Sequence, residues 1–184
     1  MLGAMTASAR DVAAALRDRL PGVGVKKLHK LLYYCQGHHL AAFGEPLFRE
    51  TVSAWDMGPV VGELWHEEKY GEPTAPAPLD EAGLNTVGYD LSRYGRLSGN
   101  DLERLTHGEP PWRLADQDRP PRSRATIRTE WLREFFTSPD EDDEEPVADA
   151  ADIAEWLSGA TERARQPVRR DDLAELRSRL QGAG

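Results

Sequence analysis

The sequence predicts a mainly α-helical fold of the α+β class: a compact multi-helix domain with a small β-sheet or hairpin, followed by a C-terminal helical extension. Three observations support this prediction. Apolar residues recur at three- and four-residue steps in most segments, which is the helical period. Only Thr51 to Trp55 alternates in the manner of a short strand. An acidic run from Asp140 to Glu145 separates this part from two further apolar stripes.

The segment from Val25 to Tyr70 organises the domain. Its first part predicts a helix whose apolar face carries Leu28, Leu31, Leu32, Cys35 and His39. We expect the lysines of this helix to lie mostly off that face, at Lys26, Lys27 and Lys30. Gly44 can end the helix in a left-handed conformation, and Pro46 prevents a restart. Of the adjacent Tyr33 and Tyr34, one is expected to face the core and the other not.

The strand from Thr51 to Trp55 is expected to break at Gly58-Pro59, after which a helix resumes from Val60 to Tyr70. Further helices are predicted on either side of this segment: one capped by Ser8 with Asp11, one from about Leu84 to Tyr94, one from Gly99 to His107 capped by Ser98, and one from Thr126 to Phe136. The block from His107 to Trp112 and the segment from Asp116 to Arg124 are interpreted as a helix stop and a loop.

Composition divides the chain into three parts. Residues 1–138 are expected to form the folded domain, and residues 139–148 an extended acidic linker, because a run of like charges repels itself. Residues 149–184 are expected to form a helical extension. Its stripes at Ile153, Trp156, Leu157 and at Leu173, Leu176, Leu180 could pack on the domain, on a second copy of the chain or on a partner.

Several ordered motifs resemble one protein family. They are Lys27 to Gly37, Gly44 to Phe48, Ala54 to Val61, Leu102 to His107, and Pro111-Trp112. Together they resemble the Panacea domain, the SocA-like antitoxin domain of bacterial toxin–antitoxin pairs, over about residues 8–137. The resemblance implies an antitoxin whose cognate toxin is encoded nearby.

Composition excludes several classes of protein. No window approaches the ~18 apolar residues of a membrane span, and no secretory leader is recognisable, so we expect a cytoplasmic protein without membrane contact. A single cysteine excludes an internal disulfide, and we interpret Cys35 as a buried apolar residue. The net charge of −9 disfavours direct nucleic-acid binding, which needs clustered lysine and arginine.

No residue pattern in the sequence indicates catalysis. The five histidines form no zinc-binding pattern with cysteine, and adjacent His38 and His39 point in different directions on a helix. Neither a glycine-rich phosphate loop nor a Gly-x-Ser-x-Gly elbow is present. We therefore predict a protein that is not an enzyme, with no catalytic residues, no cofactor and no metal site. An enzyme with a concealed site is the least favoured class.

The candidate partner-binding residues are aromatic, flexible or at motif positions. A core role is the alternative for each of the aromatic residues, and internal pairing is the alternative for Lys30 and Gln36. The candidates in the domain are Lys30, Tyr34, Gln36, Trp55, Asp56, Met57, Gly58, Pro59, Trp65 and Trp112. The candidates in the extension are Trp156, Leu157, Leu173 and Leu176.

The predicted function is neutralisation of a cognate toxin by direct binding and occlusion of its active site. The alternative is a proteolytic adaptor that delivers the toxin to an ATP-dependent protease, with the acidic linker as its tether. That protease and a second copy of this chain are therefore further candidate partners. The sequence does not identify the toxin, the stoichiometry, which part of the chain makes the main contact, or whether the complex represses its own promoter.

Overall fold

The computed structural model describes residues 6–138, which form seven helices and three short strands. In chain order the elements are α1 (Ala9–Arg19), α2 (Val25–Phe43), β1 (Val52–Trp55), β2 (Gly58–Val61), α3 (Gly62–Tyr70), α4 (Glu81–Tyr94), α5 (Gly99–Gly108), α6 (Pro110–Asp116), β3 (Ala125–Thr126) and α7 (Thr129–Thr137). This architecture confirms the predicted mainly α-helical class with a small sheet. The predicted linker and C-terminal helical extension lie outside the described residues.

Helix α2 is the centre of the domain. Helices α1, α4, α5 and α7 and strand β2 all pack against it, so the helix has little solvent-facing surface. Leu28, Leu31 and Leu32 are fully buried, as predicted. The helix ends at Gly44, whose φ of 74° is left-handed, and this confirms the predicted stop.

The burial of α2 corrects two predictions about its polar residues. Lys30 was expected to lie off the apolar face, but only 1% of its surface is exposed. Tyr33 and Tyr34 were expected to differ, but both are buried. The physical reason is the same in both cases. The prediction from three- and four-residue apolar spacing assumes that one face of the helix is exposed to solvent. A helix covered on all sides must instead bury polar side chains and satisfy their hydrogen bonds internally.

The sheet has the order β2-β1-β3, and both pairings are antiparallel. A two-residue turn at Asp56-Met57 joins β1 to β2, and Trp55 pairs with Gly58. Gly58-Pro59 therefore begins a second strand, and the prediction that it only breaks the first strand and is followed by a helix from Val60 is wrong. Proline is tolerated there because β2 is an edge strand of this sheet.

Two other segments also differ from their predictions. Pro110 and Pro111 occupy the first turn of α6, a position where the missing N–H costs no helical hydrogen bond. The block that was expected only to stop a helix therefore also starts one. Thr126 belongs to β3, where it pairs with Ser53, so the last helix begins at Thr129.

The predicted capping box of Ser8 and Asp11 is present, and the predicted cap Ser98 also forms a capping box, with Asp101. The Asp11 N–H donates to the Ser8 hydroxyl at 3.2 Å, while the Ser8 N–H donates to the Asp11 carboxylate at 2.9 Å. Ser98 and Asp101 form the same pair at the start of α5. Each box satisfies two N–H groups that the first turn of a helix leaves unpaired.

Helix α7 packs closely on the middle of α2. The ring of Phe136 lies over Gly37, and its centroid is 5.6 Å from that of Tyr33 and 4.7 Å from that of His38. A side chain at position 37 would overlap the Phe136 ring. Gly37 is therefore the residue that lets the last described helix reach the central one.

We predict that Gly37→Ala destabilises the domain by about 1–3 kcal/mol, because the added methyl group displaces a ring that is packed on several sides. Gly88→Ala is the matched control, since Gly88 is also helical but faces only the flexible end of Arg19. That variant should be neutral or more stable by up to about 1 kcal/mol through helix propensity. Urea denaturation measures both, and equal effects of the two substitutions would contradict the proposed packing.

Candidate docking groove

A groove of about 390 Å³ opens between the start of α2, the β1–β2 turn, α3 and the loop that precedes β3. Most of its wall is apolar. The apolar residues that line it are Val25, Trp55, Met57, Val60 and Trp65. Met57 and Val25 are 56% and 51% exposed, so this is a part of the described surface where large apolar side chains face solvent.

The polar part of the wall carries more positive than negative charge. Its residues are Lys26, His29, Lys30, Asp56, Arg122 and Ser123. Lys26 is paired with Glu103, and Asp56 with Arg119 at 2.6 Å. Lys30 and Arg122 are the cations of the groove that form no described ion pair, although the Glu103 carboxylate also acts electrostatically on Lys30.

Lys30 is held by the hairpin. Its ammonium donates to the carbonyl of Pro59 at 3.2 Å. Gly58 makes this approach possible: its φ of 97° is left-handed, and a Cβ there would stand 2.7 Å from the Lys30 Cε atom. Burial lowers the pKa of Lys30 to about 8, because the surroundings solvate the ammonium less well than water does.

His29 fixes the other end of the same strand. Its Nδ1 accepts a hydrogen bond from the Val61 N–H at 3.2 Å, so the neutral ring carries its proton on Nε2. That Nε2 is buried and has no hydrogen-bond partner among the described residues. Burial lowers the pKa of His29 to about 4, with the neighbouring Lys30 ammonium contributing in the same direction.

Arg119 organises the rim of the groove. Its guanidinium is nearly buried and donates to the carboxylates of Asp56 and Asp116, at 2.6 and 2.7 Å, and to the carbonyl of Ser123 at 2.7 Å. These bonds tie the β1–β2 turn to the loop that carries Arg122. The hydrogen bonds from Arg119 also hold the pKa of Asp56 below its ordinary value.

Three tryptophans support the apolar wall. Trp55 and Trp65 meet edge to face with ring centroids 5.6 Å apart. The Trp112 indole N–H donates to the Trp55 carbonyl at 3.3 Å, and the His107 ring lies 4.1 Å from that of Trp112. The Trp55 indole N–H is buried but has no acceptor among the described residues.

Residues 28–113 match the family model described as antitoxin SocA-like, Panacea domain. This segment, just under half of the chain, is thus similar to the Panacea domain. The match begins in α2 and ends in α6, so it includes the hairpin and the tryptophans but not Arg119 or Arg122. It confirms the family predicted from the sequence, supports an antitoxin role and implies a cognate toxin as partner. It gives no support to the alternative role as a proteolytic adaptor. Comparison with curated proteins and with solved structures found no match.

The fold brings half of the ten candidate binding residues of the domain to one groove. Lys30, Trp55, Asp56, Met57 and Trp65 line it. Gly58 and Pro59 are buried in the adjoining strand, and Trp112 is buried against Trp55. The four candidates of the extension lie outside the described residues.

Tyr34 and Gln36 point to other neighbours of α2. The Gln36 side chain accepts from the Leu47 and Phe48 N–H groups and donates to the Phe48 carbonyl, which makes it an internal staple. The Tyr34 hydroxyl donates to Glu109 at 2.7 Å, and its ring stacks on that of Tyr94 at 3.9 Å. Burial raises the pKa of Tyr34, so its hydroxyl stays protonated and acts as a donor.

The groove residues that were not predicted from the sequence are Val25, Lys26, His29, Val60, Arg122 and Ser123. His29 could have been found, because it neighbours Lys30 in the motif of α2. Arg122 lies in a proline-containing loop that has no periodicity, and long-range bonds to Asp56, from Arg119 and from its own backbone N–H, bring it to the groove.

Within residues 6–138, no group of three or more histidine, cysteine, aspartate or glutamate side chains is placed to hold a metal ion. No helix in that part of the chain is long and apolar enough to cross a membrane.

We predict that His29 makes the domain sensitive to acid. Because its folded pKa of about 4 lies below its ordinary value of 6.5, the unfolded chain binds the proton first, and stability falls as the pH drops through this window. The contribution is about 3 kcal/mol. His29→Asn keeps an acceptor for the Val61 N–H but does not titrate.

Between pH 7 and pH 4, the free energy of unfolding should therefore shift by about 3 kcal/mol in favour of His29→Asn relative to the wild type. Asp90, whose pKa burial raises to about 7, acts in the opposite direction in both proteins and cancels in the difference. Denaturant titrations at the two pH values measure this shift. A constant difference would show that His29 is not kept neutral by the fold.

Proposed function

We propose that this protein is an antitoxin that binds its cognate toxin directly through the groove and thereby covers the toxin's active site. The observation that supports the proposal best is the groove itself. Exposed Met57 and Val25 stand beside two tryptophans on a preorganised rim, in the domain that matches an antitoxin family. Large apolar side chains and tryptophan are typical of the anchoring residues of protein interfaces.

Two features suit the groove for docking. The Arg119 bonds fix the turn and the loop before a partner arrives, so little ordering entropy is lost on binding. Met57 is unbranched and adaptable, which suits contact with partners of different shape. The groove is also too small to bury a folded partner, so a single toxin segment would enter it while the surrounding faces occlude the toxin.

The C-terminal extension has a role in this proposal as well. Its sequence carries two apolar stripes beyond the acidic linker at residues 140–145. Short helices are only marginally stable alone in water, so these stripes require a surface that buries them. We propose that the toxin supplies it, with the linker giving the reach.

The docking claim predicts that Met57→Glu weakens toxin binding about tenfold or more, because a charge would be buried against the toxin. Phe43→Glu is the matched control: Phe43 is 51% exposed, but it lies at the far end of α2. The toxin encoded in the adjacent reading frame is the probe, and calorimetry of the full chain is the measurement. If Phe43→Glu weakens toxin binding more than Met57→Glu does, the toxin docks on another face of the domain.

Occlusion predicts that the wild-type chain inhibits the purified toxin at one-to-one stoichiometry without any protease. Toxin that stays active in the complex, and disappears only when an ATP-dependent protease is added, would instead require delivery for degradation. A chain that ends at Ser138 should still fold but bind the toxin more weakly. If the truncated chain binds the toxin and protects cells as well as the full chain does, the extension takes no part in neutralisation.

A further inference from the structure

Two buried side-chain groups of the described groove residues lack a hydrogen-bond partner, and both are donors. The buried Nε2 of His29 carries the ring proton, since Nδ1 is engaged by Val61, and it has no acceptor among the described residues. The buried indole N–H of Trp55 likewise has no acceptor among the described residues. A buried donor without a partner costs about 1–3 kcal/mol, so the polar groups beside the groove favour an incoming acceptor over an incoming donor.

The positive charge at the groove also favours an occupant that supplies hydrogen-bond acceptors. Asp56 is already bound by Arg119 and by the backbone N–H of Arg122. Lys30 uses one of its three N–H groups on the Pro59 carbonyl. Together with Arg122 it makes a small positive patch on a chain whose net charge is −9. This local reversal of sign favours an anionic occupant.

Arg122 is held in an unusual backbone conformation at this patch. Its φ of 60° is left-handed, and such a conformation is uncommon for a residue other than glycine. The surrounding turn is fixed by the Ser123 N–H, which donates to the Pro120 carbonyl at 3.2 Å, and by Arg119, which binds the Ser123 carbonyl. The fold thus retains an arginine where glycine would be less strained, and such strain is common at functional sites.

From these donors and charges we propose that the groove receives a toxin segment in which an apolar side chain stands beside a carboxylate. The apolar side chain lies against Trp55, Met57 and Trp65, and the carboxylate lies between Arg122 and Lys30. The inference rests on the proposed antitoxin function and adds the chemistry of the partner. It also explains why an acidic protein has two cations beside the exposed Met57.

The chain's own acidic run is a poorer occupant. Between Pro139 and Pro146 it contains only aspartate and glutamate, which would leave the apolar wall uncovered. The segment from Asp152 to Leu157 does combine acids with apolar residues, and a second copy of the chain could present it. The experiment below separates these occupants from the toxin.

The test uses three variants of the full chain and the toxin encoded in the adjacent reading frame. Arg122→Glu should raise the Kd for the toxin at least about tenfold, since it places a carboxylate against a carboxylate. Arg122→Gly should also weaken binding, yet it should melt at the same or a higher temperature because it relieves the left-handed strain. Arg124→Glu, an equal change of net charge two residues away and outside the groove, should stay within about twofold of wild type.

A suppressor selection then identifies the occupant. Cells that carry Arg122→Glu and the toxin are selected for restored protection, with both genes mutagenised. Suppressors that replace an acidic toxin residue by lysine or arginine support the proposal. Suppressors confined to acids at positions 140–157 would assign the groove to the chain's own extension and overturn it.

Two further outcomes would also overturn the inference. The first is an Arg122→Glu chain that binds the toxin as well as Arg124→Glu does. The second is loss of a wild-type dimer in Arg122→Glu, seen by light scattering, with toxin affinity unchanged. Failure of the wild-type chain to bind the toxin at all would instead refute the proposed function, so the two failures are distinguishable.

Discussion

Burial of α2 on every side is the constraint on which the rest of the structure depends. A buried polar group without a partner is costly, so His29, Lys30 and Gln36 must be satisfied by other elements. His29 accepts from Val61, Lys30 donates to Pro59, and Gln36 binds the backbone at Leu47 and Phe48. These bonds hold β2 and the segment before β1 against the helix. The groove is therefore shaped by the same contacts that satisfy the core.

This arrangement explains why the core and the candidate docking surface cannot be separated by residue type. Strand β2, which closes one side of the groove, is an edge strand. The carbonyl of its Pro59 accepts the hydrogen bond from Lys30. Gly58 lacks the side chain that would block that approach. Arg119 performs the equivalent task on the outer side, where it joins the turn at Asp56 to the loop at Ser123.

Local signals in the sequence were sufficient for much of the fold. Hydrophobic spacing predicted α2, the caps Ser8 and Ser98 predicted the starts of two helices, and Gly44 predicted the end of α2. The errors arose where tertiary structure overrides local pattern. Because α2 is buried on all sides, Lys30 and Tyr34 lie in the core, which its local pattern did not predict. Gly58-Pro59 was predicted to break a strand, but it begins β2, an edge strand that tolerates proline. For the site, Trp55, Met57 and Trp65 could be proposed from residue type, but Arg122 reaches the groove through long-range bonds to Asp56, which no local pattern predicts.

Hydrogen exchange of the full chain, free and bound to the toxin from the adjacent reading frame, tests most directly whether the groove is the docking surface. The account predicts that the amides of Asp56, Met57, Arg122 and Ser123 exchange at least about tenfold more slowly in the complex, because a partner covers them. Amides at the far end of α2, near Phe43, should keep their free rates. Slowing confined to that far end, with the turn at Asp56-Met57 unchanged, would contradict the account.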